Sequence, residues 1–250
     1  MKEILRRLAH MMGYEISFKP RFLIDNPDAQ YRCDPETVLA RAILANPAPH
    51  FVQIGAFDGM ANDPIQPFRA NGKLTGIVVE PQPDMFEKLT EAYAGVEGVT
   101  LENCAIGDTD GELVLYRLKD AYLHLGGAVA KQLTSPIRSK IEDFIVWDGD
   151  TDEVIETIAV PSYTVNSLLA KHGRTSTDIL VVDTEGYDYI ILKSAGLDQL
   201  KPTAILYEHK HLSPADQMAC NQMLADLGYK LMIHYVDTIA VDPEKLGLDY

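Results

Sequence analysis

Acidic side chains and histidines follow two apolar stretches of the chain, and these residue types can transfer protons or bind cations. Asp183 ends the stretch DILVVD, and Glu208 ends TAILYE, with His209 close behind it and then His211, a candidate for binding the substrate. If the two stretches form neighbouring parallel strands, both carboxylates lie at one edge of a sheet, where α/β proteins bind ligands. Two mechanisms are then open: His209 removes a proton directly, or Asp183 and Glu208 hold a Mg²⁺-like ion that acidifies a hydroxyl. The metal-independent base is the favoured hypothesis.

A purely structural interpretation of the same residues also stays open. Asp183 and Glu185 can stabilise the N-terminus of a helix that begins near Tyr187, because acidic side chains interact favourably with that end of a helix. The segment EHKH after the other stretch can equally be a solvated loop.

The loop after FVQIG carries candidates for binding a cofactor: Gly55, Phe57, Asp58 and Gly59. It lacks the third glycine of the dinucleotide fingerprint and has an acidic residue where a pyrophosphate would approach, which argues against NAD and FAD. A cationic or zwitterionic ligand suits Asp58 better.

The stretch TGIVVE ends at Glu80, before Pro81, where a carboxylate can accept hydrogen bonds from two ribose hydroxyls. The next segment brings four more residues to the same edge: Asn103, Ala105, Ile106 and Asp108. Its small and apolar residues can flank an adenine and its acid can reach the adenine amino group, although GDTDG there is also typical of a hairpin turn. A ribose, an adenine and a positive centre without a polyphosphate describe S-adenosylmethionine.

The elements that must position these residues alternate between apolar runs of strand length and stretches of helical period. This alternation predicts βαβ units and an α/β fold with a doubly wound, mostly parallel sheet. YKLMIHYV and TIAVD are separated by so short a link that they predict an antiparallel C-terminal hairpin. Helices are expected in the N-terminal extension, residues 1–48, where Asp34 can cap a helix that starts with Pro35. Residues 49–250 form the predicted catalytic domain.

Residues 118–155 hold no strand or helix pattern for long, and they exceed the length of an ordinary connection. We interpret them as a lid or substrate-binding insertion. Its polar or stacking candidates are His124, Lys131, Arg138 and Trp147, each of which can equally be a surface residue.

Composition limits the partners and the compartment. The 250 residues carry a formal net charge of −15, which repels a polyphosphate, so nucleic acid is not expected as a substrate. Three distant cysteines predict buried free thiols. Without a secretory signal or a spanning apolar run, we expect a cytoplasmic protein.

Residues 1–12 predict a basic amphipathic helix that packs on the domain or on a partner in a homo-oligomer, or attaches peripherally to an anionic membrane.

Six stretches, in order, resemble the FkbM family of methyltransferases: FVQIGAFDG, GIVVEPQPDMFEKL, LENCAIGDTDGE, VPSYTVNSLL, DILVVDTEGYDYIILKSAG and AILYEHKHL. The resemblance covers roughly residues 50–210. It implies a Rossmann-like class I methyltransferase sheet of seven strands and S-adenosyl-L-methionine as cofactor.

The resemblance also assigns roles to positions. Gly55, Asp58 and Gly59 match the cofactor loop, Glu80 matches the ribose-binding acid, and Asp183 with Glu185 matches the motif beside the reacting methyl. Gln53, a candidate for binding the cofactor, stands where many members carry an acid, so the contact to the methionine ammonium can come from Asp58 or Asp63 instead.

Family members generally methylate oxygen on macrolides or on sugars of glycolipids and surface polysaccharides. The resemblance therefore implies an O-methyltransferase that acts on a small-molecule or carbohydrate hydroxyl, without demanding a metal. A nucleotide-dependent oxidoreductase on a similar sheet and a non-catalytic cofactor-binding protein are the alternatives.

Overall fold

The computed structural model describes residues 34–69 and 74–247. The helix predicted in residues 1–12 and most of the predicted extension lie outside this range. Helix α1 (Pro35–Ala45) confirms the capping prediction, because the Asp34 side chain accepts a hydrogen bond from the Thr37 amide at 2.9 Å. Among the described residues, no helix is long and apolar enough to cross a membrane. Cys104 and Cys220 are buried free thiols, as predicted, whereas Cys33 lies outside the described residues.

Within residues 34–69 and 74–247, eleven strands alternate with seven further α-helices. The strands are β1 (His50–Ile54), β2 (Thr75–Val79), β3 (Val99–Glu102), β4 (Ala105–Ile106), β5 (Gly111–Leu118), β6 (Thr134–Ser135), β7 (Ile155–Tyr163), β8 (Ile179–Val182), β9 (Ala204–Glu208), β10 (Lys230–His234) and β11 (Asp237–Val241). The helices are α2 (Pro83–Ala92), α3 (Arg138–Glu142), α4 (Thr151–Val154), α5 (Val165–Lys171), α6 (Asp188–Ser194), α7 (Leu197–Leu200) and α8 (Pro214–Asp226).

The main sheet has seven strands in the order β10-β11-β9-β8-β1-β2-β3. Strands β3, β2, β1, β8 and β9 are parallel, and β11 runs antiparallel to both β9 and β10. The predicted parallel sheet with a C-terminal antiparallel hairpin is therefore confirmed. Strand order reverses between β1 and β8, which places a ligand cleft at their carboxyl ends.

Apolar runs form the centre of this sheet because both of its faces are covered. Every residue of β1, β8 and β9 is buried. The core on one face joins Val52 and Leu180 of the strands to Leu168 of α5, Ile191 of α6 and Leu224 of α8. Helix α1 contacts β8 and β9.

A second sheet, in the order β4-β7-β5-β6, was not predicted from the sequence. Its main pair is antiparallel: β5 and β7 are in register from Gly111 opposite Ser162 to Leu118 opposite Ile155. Strand β7 also pairs with β4, so GDTDG does not join two hydrogen-bonded neighbours. The predicted insertion corresponds to the connection between β5 and β7.

Short elements fill this connection: 3₁₀ helices at Asp120–Leu125 and Gly127–Val129, strand β6, and helices α3 and α4. They enclose a small core of their own, formed by Leu118, Ala130, Leu133, Ile141, Ile145, Val154 and Ile155. The connection is thus a packed unit rather than an open loop.

Candidate functional site

A cleft of about 790 Å³ lies at the carboxyl ends of β1, β2, β8 and β9. Its walls also include the turn between β10 and β11 and part of the β5–β7 connection. The volume is that of a typical small-molecule site. This is the position that the strand order predicts for a ligand.

Gly55 lets the first loop enter between two strands. Its amide and that of Ala56 both donate to the Val79 carbonyl of β2 at 3.0 Å. On the other side, a Cβ at Gly55 would stand 1.8 Å from the carbonyl oxygen of Asp183. Gly55 also has a φ of +81°, which favours glycine. A residue with a side chain would therefore push the cofactor loop away from β8.

Asp58 and Gly59 shape this loop from outside the cleft. The Asp58 carboxylate accepts hydrogen bonds from the amides of Met60 and Ala61, at 2.9 and 3.0 Å. Gly59 is buried against Leu89 of α2. Neither residue lines the cleft, whereas Gly55 and Phe57 do. Direct cofactor contacts by Asp58 and Gly59 stay a prediction.

Glu80 is held at the end of β2 by two backbone amides. Its Oε2 accepts from the Phe57 amide and its Oε1 from the Gln82 amide, both at 2.8 Å. Burial raises the pKa of Glu80 to about 7 against the lowering effect of these hydrogen bonds. Each carboxylate oxygen retains acceptor capacity, because an ionised carboxylate offers about four lone-pair sites. Pro81, beside it, lines the cleft.

Gln53 and Asp63 form a buried polar pair beneath the loop. Asp63 accepts from Gln53 Nε2 at 3.1 Å and from the amide of Ile65 at 2.8 Å, and it forms an ion pair with the Arg69 guanidinium. Because the carboxylate can only accept, it fixes which end of the Gln53 amide faces it. The other end, Oε1, is buried without a hydrogen-bond partner among the described residues. Gln53 therefore offers a free acceptor, while Asp63 is neutralised.

Of the residues predicted to surround an adenine, some line the cleft and others do not. Ala105 and Ile106 are buried and line the cleft. Asn103 instead donates to the carbonyl of Glu80 at 2.8 Å and so braces the end of β2. Asp108 is exposed and does not line the cleft. Its predicted contact to an adenine amino group stays a prediction.

The carboxylates after β8 and β9 meet, as the parallel register predicts. Asp183 and Glu208 line the cleft together with Glu185. Burial and the neighbouring acids raise the pKa of Asp183 well above its usual range, and they raise that of Glu208 to about 9. Asp188, a member that sequence reasoning missed, is fully buried, and its pKa is raised by burial to about 7. The part of the cleft where β8 and β9 end, which we call the rim, thus concentrates acids that resist ionisation.

The two histidines after β9 occupy different environments. His209 lies outside the cleft, with its Nδ1 3.0 Å from the Thr238 hydroxyl, and its amide donates to Val236 across the sheet. His211 lines the cleft, with Nε2 3.1 Å from Glu185 Oε2 and 3.8 Å from Glu208 Oε2. The imidazole that meets the rim carboxylates is therefore His211, whereas the sequence analysis placed the base at His209.

The β5–β7 connection supplies a wall of the cleft, but through residues other than the predicted ones. His124, Lys131, Arg138 and Trp147 do not line the cleft; they join stacking contacts and ion pairs within or beside the connection. Its lining residues are Val129, Gln132, Leu133, Thr134, Pro136 and Phe144. The apolar side chains among them give little signal in a sequence, because they look like core residues.

Acidic side chains dominate the charged part of the cleft. Those that line it are Asp34, Glu36, Asp63, Glu80, Asp183, Glu185, Glu208 and Asp237. Among the described lining residues, the only lysine is Lys210, and there is no arginine. Such a wall favours a cationic ligand over a phosphorylated one.

Comparison with solved structures gives distant matches, of which three are representative. The methyltransferase FkbM from Methylobacillus flagellatus KT is 13% identical over 78% of this chain and 44% of that chain, with a TM-score of 0.48. The chain thus spans less than half of that protein. A methyltransferase from Geobacter sulfurreducens is 14% identical over 94% and 96% of the two chains, with a TM-score of 0.42. Aeropyrum pernix fibrillarin, in complex with S-adenosyl-L-methionine, is 12% identical over 81% and 74%, with a TM-score of 0.40.

Comparison with protein families is more decisive. No curated protein sequence matches the chain. The methyltransferase FkbM domain matches residues 53–231, which contain the loop after β1, Glu80, the whole second sheet and the carboxylates that follow β8 and β9. The chain therefore belongs to the FkbM methyltransferase domain family.

Proposed function

We propose that this methyltransferase uses S-adenosylmethionine and transfers its methyl group to a hydroxyl oxygen. The observation that carries the proposal is Glu80, an acid fixed by two backbone amides at the end of β2 in a cleft walled by carboxylates. A carboxylate in this position suits the two hydroxyls of a ribose. The acidic wall suits a ligand that carries a sulfonium and an ammonium group instead of phosphates.

Other residues fit the remaining parts of the cofactor. The unpartnered Gln53 Oε1 offers an acceptor to the methionine ammonium, which Asp63 cannot do while Arg69 neutralises it. Ala105 and Ile106 offer a buried apolar surface for the adenine. Gly55 leaves space where a side chain would stand, so that the backbone can approach the ligand closely.

S-adenosylmethionine supplies an activated methyl group, whose carbon–sulfur bond breaks as the new carbon–oxygen bond forms. The protein contributes mainly by holding the acceptor hydroxyl in line, which can be worth an effective molarity of about 10⁵ to 10⁸ M. Asp183 and Glu185 stand at the end of β8, and Glu208 and His211 stand beside them across the rim. This group would receive the hydroxyl, and the proton that the hydroxyl loses would pass from the rim of the cleft to solvent.

The acceptor that we propose is a sugar hydroxyl of a polysaccharide or glycolipid, or a hydroxyl of a natural product. Support comes from the mixed character of the cleft beyond the rim. Leu113, Leu133 and Phe144 form an apolar wall, and Lys210 and His234 add polar groups. A wall of this kind can pack against a carbon skeleton while hydrogen-bonding its hydroxyls.

Calorimetric titration of S-adenosylhomocysteine into the wild type and two variants tests the cofactor assignment. Glu80→Ala should weaken binding by one to two orders of magnitude, since losing hydrogen bonds to a charged group costs about 1.5 to 3 kcal/mol. Glu91→Ala, at an exposed position of α2, is the matched control and should bind normally. Unchanged affinity in the Glu80 variant, or binding of NAD in place of S-adenosylhomocysteine, would contradict the proposal.

A further inference from the structure

We propose that Glu185, Glu208 and His211 form a binding site for a divalent transition-metal ion, with Mn²⁺ as the best representative. The ion would bind the acceptor hydroxyl beside the reacting methyl group. This catalytic role rests on the proposed function, whereas ion binding by the three side chains does not.

The distances between the three side chains suit a shared ion. One ligand atom from each lies within 4.8 Å of the others. His211 Nε2 is 3.1 Å from Glu185 Oε2 and 3.8 Å from Glu208 Oε2. Two ligands that each lie about 2.1 Å from one ion are roughly 3.0 Å apart at right angles and about 4.2 Å apart when opposite. Both measured distances fall in this interval.

Two of these ligand atoms are buried without a hydrogen bond, although His211 lies within ion-pair distance of both, and this is a second observation. Glu185 Oε2 and Glu208 Oε2 make no hydrogen bond with any residue that the structure describes. The Glu208 side chain is only 10% exposed. A buried carboxylate oxygen left unsatisfied is costly, so such atoms call for a partner. Both atoms face His211, and one ion between them would satisfy both.

The fold brings the three residues together by specific means. Glu185 has a φ of +53° in the loop after β8, and Asp188 fixes this loop by accepting from the Thr184 hydroxyl at 3.0 Å and the Gly186 amide at 3.2 Å. Gly186 allows the close approach to the next loop, because a Cβ there would stand 3.0 Å from the His211 carbonyl oxygen. The cluster is therefore held by packing that its members do not provide themselves.

The chemistry of the ligands indicates the kind of ion. Two carboxylates and one imidazole suit Mn²⁺ or Zn²⁺, while an all-oxygen set would suit Mg²⁺ or Ca²⁺. Asp183 and Asp188 are further acids near Glu208, and together they outnumber the one nearby cation, Lys210. Three protein ligands leave coordination positions open, and the cluster lines the cleft, so an acceptor oxygen can occupy one of them.

The step that follows is balanced without any further reagent. The hydroxyl bound to the ion becomes more acidic and releases its proton to solvent. Its oxygen then forms the bond to the methyl carbon, while the carbon–sulfur bond breaks and its electrons remain on sulfur. The ion leaves the reaction unchanged.

Mn²⁺ binding followed by electron paramagnetic resonance tests the site in the full-length, chelator-treated protein. We expect one ion per chain, with a nitrogen coupling in the spin-echo signal from His211. Glu208→Gln and His211→Ala should each weaken Mn²⁺ binding at least tenfold, and the second should abolish the nitrogen coupling. His234→Ala removes another imidazole from the same cleft and should leave both unchanged.

S-adenosylhomocysteine titrations of the same proteins separate the two proposals and report on folding. Variants that bind S-adenosylhomocysteine normally but not Mn²⁺ support the site. The site is overturned if the wild type forms no stoichiometric Mn²⁺ complex, or if His211→Ala binds Mn²⁺ as tightly as the wild type. Equal losses of Mn²⁺ affinity in His234→Ala and His211→Ala would also overturn it. Mn²⁺ binding without S-adenosylhomocysteine binding would instead refute the proposed function and leave the ion site in place.

Discussion

At the level of single residues, burial gives Glu80 a pKa of about 7. Below that pH the carboxyl group is protonated and can accept fewer hydrogen bonds from a ribose. S-adenosylhomocysteine affinity should therefore fall by up to about tenfold between pH 8 and pH 6, since one pKa unit corresponds to a factor of ten. Calorimetry at both pH values measures the change. Glu80→Gln does not titrate between pH 6 and pH 8. This variant should therefore bind S-adenosylhomocysteine more weakly than the wild type at pH 8, and its affinity should not fall between pH 8 and pH 6 through this group. Equal pH dependence in the two proteins would rule out Glu80 as the titrating group.

Gly55 provides a second prediction at this scale, because two glycines with the same backbone conformation have different surroundings. Gly55 has a φ of +81° and a Cβ there would meet Asp183, whereas Gly95 has a φ of +80° and open space around it. Gly95→Ala should cost only the conformational penalty of about 1 kcal/mol. Gly55→Ala should lower the free energy of unfolding by clearly more and weaken S-adenosylhomocysteine binding. Urea denaturation gives the two free energies, and equal losses would show that the approach to β8 is not needed.

Among the elements, the β5–β7 connection should behave as a separate unit. It has its own core, in which Ile141 is fully buried, and it lines the cleft from one side. We expect residues 119–154 to exchange amide hydrogens faster than β1 and β8 when no acceptor is bound, because a lid must open. Ile141→Ala should increase exchange throughout the connection, since such truncations cost about 2 to 5 kcal/mol.

Hydrogen exchange read by mass spectrometry distinguishes a local from a global effect. Val146→Ala changes an exposed apolar residue of the same connection and should leave exchange unaltered. If Ile141→Ala accelerates exchange in β1 and β8 as much as in the connection, the connection is part of the main cooperative core.

What the sequence could predict also differs between elements. The main sheet was predictable because β1, β2, β8 and β9 are nearly unbroken runs of Val, Ile and Leu, and their carboxyl ends had to carry the site. The second sheet was missed because β5 mixes exposed and buried residues, and its partner β7 begins only at Ile155. Pairings between segments so far apart leave no local period in the sequence.

In the candidate site, too, only features that depend on the local sequence could be predicted. Parallel register brought Asp183 and Glu208 together as predicted, because a strand end is a local property. The choice between His209 and His211 depends on where the chain turns after β9: His209 still pairs with Val236 across the sheet, and only the following turn brings His211 into the cleft. Asp188 escaped notice because its burial depends on the loop that it organises.

For the whole molecule, the buried acids predict that stability falls as pH rises above neutrality. The pKa values of Glu80 and Asp188 are about 7 in the fold, above their ordinary values of 4.5 and 3.8, so the folded protein binds protons that the unfolded chain has already lost. Burial lowers the pKa of His50 to about 4, so below pH 6.5 this group makes the free energy of unfolding rise with pH. Above pH 6.5 His50 has no effect, and only the buried acids contribute.

Between pH 6.5 and pH 8.5 these two groups should lower the free energy of unfolding by about 1 to 2 kcal/mol, and the raised pKa values of Glu208 and Asp183 add to this linkage contribution. Urea denaturation in the presence of a chelator, at several pH values, measures the slope. Glu80→Gln should make the decrease smaller by about 0.5 to 1 kcal/mol, because it removes one of the protons that only the folded protein binds. A free energy of unfolding that rises over this interval would mean that the acids of the cleft are ionised in the folded protein and are balanced by charges outside the described residues.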